Sequence, residues 1–167
     1  MNKILLIIII LIILYICCYY INPNEIIILQ TNIINFNLDL LYKKQPIVIE
    51  DKILDVSILI EAWFKQNIKE KINKDINIWH SNNHKYLFIN SPSSSLSPNG
   101  DDDNNDNYIE IFLDKNNKKN NYNIISIKLY PNQSLIIPFK WRYYIMNNNL
   151  NIIGIHDYIT YLLSFLF

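Results

Sequence analysis

The side chains able to do acid-base or metal chemistry are few. Three histidines occur, His80, His84 and His156. His80, Asn82 and His84 stand close together in the chain and form its nearest approach to a ligand cluster, with His80-Ser81-Asn82 at its centre. Asparagine is a neutral and weak ligand for a transition metal, and no His-x-Asp or His-x-Glu pair occurs. His156 and Asp157 are neighbours, so on a strand they point to opposite faces. The residues therefore predict surface or hydrogen-bonded histidines, with no metal, no cofactor and no catalytic side chain.

Other reactive patterns fail on spacing. Asp101-Asp102-Asp103 opens no calcium loop, because the sixth and twelfth positions from Asp101 are not Gly and Glu. With only Gly100 and Gly154, the chain has no glycine-rich phosphate loop, and it has neither a Gly-x-Ser-x-Gly elbow nor a His-Glu-x-x-His helix. The single arginine, Arg142, reads as a strand-end salt-bridge partner. Cys17 and Cys18 are the only cysteines, so residues beyond them hold neither a disulfide framework nor a thiolate site. Zero formal net charge gives no broad basic field for nucleic acid. Asn132-Gln133-Ser134 is a glycosylation sequon, usable only on a lumenal domain. Ile occurs 36 times and Asn 26 times, against one Arg and one Ala, which points to an AT-rich genome and to many asparagines that are surface filler.

The elements that must position these groups begin with an apolar run, Ile4 to Ile21. As a helix it would span roughly 27 Å, close to the hydrocarbon thickness of a bilayer. It predicts a transmembrane anchor over residues 1–21, uncleaved for want of an Ala-x-Ala-like site. The expected partner is the lipid bilayer through residues 4–21. Lys3 on one side, and Glu25 and Asp39 without a base on the other, put the N-terminus in the cytoplasm and the domain on the far side.

Residues 22–43 read as a linker with a first strand. Pro46 to Ile49 is a strand. Val56, Leu59, Ile60, Trp63, Phe64, Ile68 and Ile72 recur at helical spacing and predict an amphipathic helix running to about Lys71. Strands are expected near 76–79, 85–90, 108–113, 122–130, 135–137 and 152–155. Residues 91–107, rich in Ser, Pro, Asn and Asp, read as a disordered loop. The expected fold class is mainly β (α+β), with one packed amphipathic helix on a small sandwich or barrel.

The stretch from Leu129 to Ile145 resembles the cupin-like (JmjC-related) family. There the corresponding segment is a turn, an apolar strand, Ile-Pro and a Trp-Trp-His triplet. Here Pro131-Asn132-Gln133 supplies the turn, Leu135-Ile136-Ile137 the strand, Pro138 the crossing between sheets, and Trp141 a core plug. Lys44 to Ile49 is similar to the strand that opens such domains. A narrower likeness is to short membrane-anchored, degenerate cupin-like proteins of large DNA viruses, through the tail Asp157-Tyr158-Ile159-Thr160-Tyr161. The resemblance implies a cupin-like double-stranded β-helix over residues 44–167. In the enzymatic relatives a His-x-Asp/Glu and the triplet's His hold Fe(II) beside 2-oxoglutarate. Here the triplet reads Trp141-Arg142-Tyr143, so Tyr143 stands in the ligand's place. The function expected is that of a non-enzymatic single-pass membrane protein, a viral or virion component with a binding or structural role. The alternative is an Fe(II)/2-oxoglutarate hydroxylase with atypical ligands.

Overall fold

The computed structural model describes residues 3–21, 25–51, 56–73, 75, 77–91, 108–115, 124–146 and 150–164. Apart from Ser91, the acidic loop expected over 91–107 lies outside the described residues. The elements run α1 (Lys3–Tyr20), β1 (Leu29–Thr31), α2 (Asp39–Tyr42), β2 (Ile47–Ile49), α3 (Val56–Trp63) and β3 (Ile68–Lys71). Then follow β4 (Trp79–Ser81), β5 (Tyr86–Asn90), β6 (Ile109–Asp114), β7 (Ile125–Leu129), β8 (Ser134–Pro138), β9 (Arg142–Ile145), β10 (Asn151–His156) and α4 (Tyr158–Ser164).

The strands form two sheets, in the orders β1-β2-β8-β5-β10-β3 and β4-β9-β6-β7. Numbering β3 to β10 as one to eight turns these into 6-3-8-1 and 2-7-4-5, with β2 and then β1 extending the larger sheet beyond strand six. Successive strands alternate between the sheets except four and five, which pair as neighbours in the smaller one, and this is the jelly-roll winding of a cupin-like double-stranded β-helix. Period-2 patterning drives it. On β6, Ile109, Ile111 and Leu113 are buried between the sheets, while Glu110 and Phe112 are half-exposed. The inner core joins Val48, Leu87, Ile89, Leu135, Ile137 and Ile152 of the larger sheet to Ile111, Leu129, Tyr143 and Ile145 of the smaller, around a fully buried Trp141. Ile47, Ile49, Phe88, Ile136 and Ile155 face the other way and are covered by Leu41, Val56, Ile60 and Phe64. Buried on both faces, β2, β5 and β8 of the larger sheet read as nearly continuous apolar runs.

The amphipathic helix is shorter than expected. α3 stops at Trp63, the chain turns with Asn67 N–H donating to Phe64 O, and Ile68–Lys71 becomes an edge strand antiparallel to β10. Residues four apart share a face of a helix, but two strand repeats also separate Ile68 from Ile72, so their spacing fits both periods. Pairing with β10 decides between them.

The membrane anchor is corrected. Among the described residues no helix is long and apolar enough to cross a membrane. α1 has 18 residues. Its later turns rest on polar groups of the domain. The Tyr15 hydroxyl hydrogen-bonds to the Asp157 carboxylate, Lys85 Nζ donates to the Tyr15 hydroxyl at 3.1 Å, and Lys44 Nζ donates to the carbonyls of Cys18 and Ile21. A lysine on those last carbonyls satisfies the helix C-terminus and complements its dipole. A helix docked by its later turns onto an ammonium and a carboxylate is not a free apolar cylinder. The single-pass membrane location is corrected with it.

Asp157 also opens α4. Its Oδ1 accepts from Thr160 N–H at 2.7 Å, while Asp157 N–H donates to Thr160 Oγ1 at 3.0 Å, a reciprocal cap. Burial alone would raise the Asp157 carboxyl, but the bonds from Lys85, Thr160 and Tyr15 outweigh it and hold the group at about 2. A depressed carboxyl contributes stability that is complete above its unfolded value near 4 and is lost as pH falls through the folded value. Urea unfolding of the wild-type chain should therefore show stability falling between about pH 4 and pH 2. Asp157→Asn should be less stable at neutral pH and lack that part of the slope. An unchanged slope in the variant would contradict the assignment.

Candidate functional site

Two places bring chemistry-bearing side chains together. The first is where the resemblance puts iron. His80 on β4 is the register partner of Tyr143 on β9, with ring centroids 5.5 Å apart. So the structure does join the residues standing for the first and last ligands, but neither Tyr143 nor Asn82 is suited to a metal. Tyr143 is buried in the inner core, and burial pushes its phenol up to about 12, so at neutral pH it is an uncharged hydroxyl. Asn82 is buried and fully engaged. Its amide Nδ2 donates to Ile137 O at 2.9 Å and Pro138 O at 2.8 Å, and its Oδ1 accepts from His84 N–H at 2.9 Å. Its main chain is tied across the same corner, Asn82 N–H to Trp141 O and Lys140 N–H to Asn82 O. Asn82 thus clamps the end of β8 as the chain crosses from one sheet to the other. His80 Nε2 lies 2.8 Å from Asp75 O. The side chains present do not fit Fe(II) here.

The other residues singled out from the sequence have structural places. Pro131 and Asn132 form the turn between β7 and β8, with Asn132 at φ 66° and its N–H donating to Ser91 O. Pro138 ends β8 opposite Tyr86. Arg142 pairs with Asp114 at 3.4 Å and lies over the Trp79 ring.

The second place was not legible as a unit. β10 and β3 pair so that Gly154 lies opposite Glu70. Ile152 faces the inner core, and alternation carries Gly154 and His156 onto that same face. His84, just before β5, completes the group. Ligating atoms of Glu70, His84 and His156 all lie within 4.8 Å of one another, and the two imidazole centroids are 4.6 Å apart. His84 Nε2 meets Glu70 Oε1, while His84 Nδ1 lies 3.3 Å from Asn82 Oδ1. His156 is 2% exposed, and its Nδ1 has no hydrogen-bond partner. Burial, with His84 beside it, lowers the His156 imidazole below its usual range and keeps it neutral. Gly154 makes the space: a Cβ there would overlap the His84 ring.

Between the edge strands β1 and β7 lies a cleft of about 440 Å³, with Val48 and Ile127 among its walls and Gln30, Glu50, Ser126, Lys128 and Gln133 giving it polar character.

No family model and no curated protein matches the chain. Among solved structures it is similar to a 3,4-ketoisomerase from Helicobacter canadensis, at 16% identity over 56% of this chain and 62% of that one, with a TM-score of 0.29. It is also similar to RmlC from Streptococcus suis in complex with dTDP-D-xylose, at 9% identity over 63% and 50% of the two chains, with a TM-score of 0.28. The chain thus spans less than two thirds of the length of either.

Proposed function

We propose that this chain is a non-enzymatic binding domain on a cupin-like double-stranded β-helix, without the Fe(II)/2-oxoglutarate hydroxylase chemistry of the family it resembles. The observation that carries this reading is Tyr143, a buried neutral phenol where the third iron ligand would stand. Asn82 supports it, because its amide nitrogen is committed to two carbonyls and its oxygen accepts from His84 N–H, which fixes the side chain in the corner. Reaching iron would require breaking the corner that holds β8 to β9. The face offered to a ligand is the cleft between β1 and β7, whose mixed lining of Glu50, Lys128, Gln30 and Gln133 suits a small polar molecule with both donors and acceptors. The test is conversion of 2-oxoglutarate to succinate with Fe(II) and ascorbate, where the chain should give no more than the protein-free background. Turnover that depends on His80 would establish the hydroxylase instead.

A further inference from the structure

We infer that Glu70, His84 and His156 form a binding site for one divalent transition-metal ion of the zinc class, apart from the position that holds iron in the resembled family. Two imidazoles and a carboxylate suit zinc and its neighbours. With metal–ligand bonds of about 2.0–2.2 Å, ligand atoms around one ion stand roughly 3 to 4.4 Å apart. The three groups already lie within 4.8 Å, so small side-chain rotations close the site.

The hydrogen bonding around His84 makes the case chemical as well as geometric. Asn82 Nδ2 is committed to two carbonyls, so the atom facing His84 is the amide oxygen, which only accepts. His84 Nδ1 is therefore placed to donate to it, at 3.3 Å. In the neutral ring Nε2 is then a lone pair, and it is aimed at the Glu70 carboxylate, another acceptor. In that tautomer the Nε2 lone pair and the carboxylate face one position that a metal cation would fill. His156 Nδ1 is buried and has no hydrogen-bond partner. A metal ion gives all three groups a partner at once. The Nδ1–H to amide-oxygen bond is also the kind of outer support that fixes the tautomer and orientation of a ligating histidine. Glycine at 154 leaves the ring its place. Three protein ligands leave a further coordination position for water, on the side where the Glu70 side chain is 48% exposed.

The site lies at the β3 edge of the larger sheet, whereas His80 and Tyr143 lie on the smaller one, so this inference and the proposed function fail separately. The test is metal content after equilibration of the whole chain with Zn(II) and removal of free ion, paired with the visible absorption of the Co(II)-substituted protein. Wild type and His80→Ala should retain about one ion per chain. His84→Ala, His156→Ala and Glu70→Gln should each bind at least tenfold more weakly. Glu70→Gln keeps the side-chain volume at an exposed rim and carries the test if either histidine variant fails to fold. No ion on the wild-type chain, or an ion that none of the three substitutions weakens, overturns the inference.

Discussion

Replacing Asn82 by Asp, the change that would restore the acid of the enzymatic motif, should abolish folding or cost more than Asn82→Ala, for which about 3 kcal/mol or more is expected. The reason lies in what the amide does. Nδ2 serves the carbonyls of Ile137 and Pro138, and Oδ1 serves the main chain of His84. Alanine leaves two buried carbonyls and one N–H without their partner, each at about 1–3 kcal/mol. Aspartate adds a buried negative charge facing two carbonyl oxygens. Urea or thermal unfolding ranks the variants. Asn82→Asp within about 1 kcal/mol of wild type would mean that this corner has room for an acid, and the case against a ligand at this position would go with it.

The second large effect is expected at Gly154→Ala. The added methyl overlaps the His84 ring, so either the ring swings away or β10 moves. Overpacking of this kind costs about 1–3 kcal/mol. Because the displaced ring also loses Glu70 and Asn82, zinc affinity should fall by about a hundredfold. The double variant Gly154→Ala/His84→Ala separates the causes. With the ring removed the alanine should cost little, giving a coupling energy near the full single-variant loss. Additive costs would show that the clash lies with the backbone rather than with His84.

Much of the winding was legible in the sequence because it depends on alternation. Ile109, Ile111 and Leu113, the run Leu135-Ile136-Ile137, and the Pro138 crossing each announce one strand and its end, and the structure has them. What failed did so for identifiable reasons. Ile68 and Ile72 fit helical and strand periods alike, and only the partner β10, more than 80 residues away, decides. Hydropathy alone made α1 a membrane span, since it takes no account of Tyr15 docking on Lys85 and Asp157. His80, Asn82 and His84 looked like a cluster because they are close in sequence, yet the fold sends them to three tasks. His80 faces Tyr143, Asn82 clamps the corner, and His84 turns to Glu70. Glu70 was hidden inside the supposed helix, and His156 is separated from it by most of the domain. One signal was available: Gly154 sits within an apolar strand run, and a strand glycine often marks a close approach by another group.

The measurement that bears most directly on the central claim is succinate formation from 2-oxoglutarate by the purified chain, supplied with Fe(II), ascorbate and oxygen, beside His80→Ala. A neutral buried Tyr143 and a committed Asn82 predict that both proteins stay at the protein-free rate. Succinate above that rate from the wild type, abolished by His80→Ala, would contradict the account.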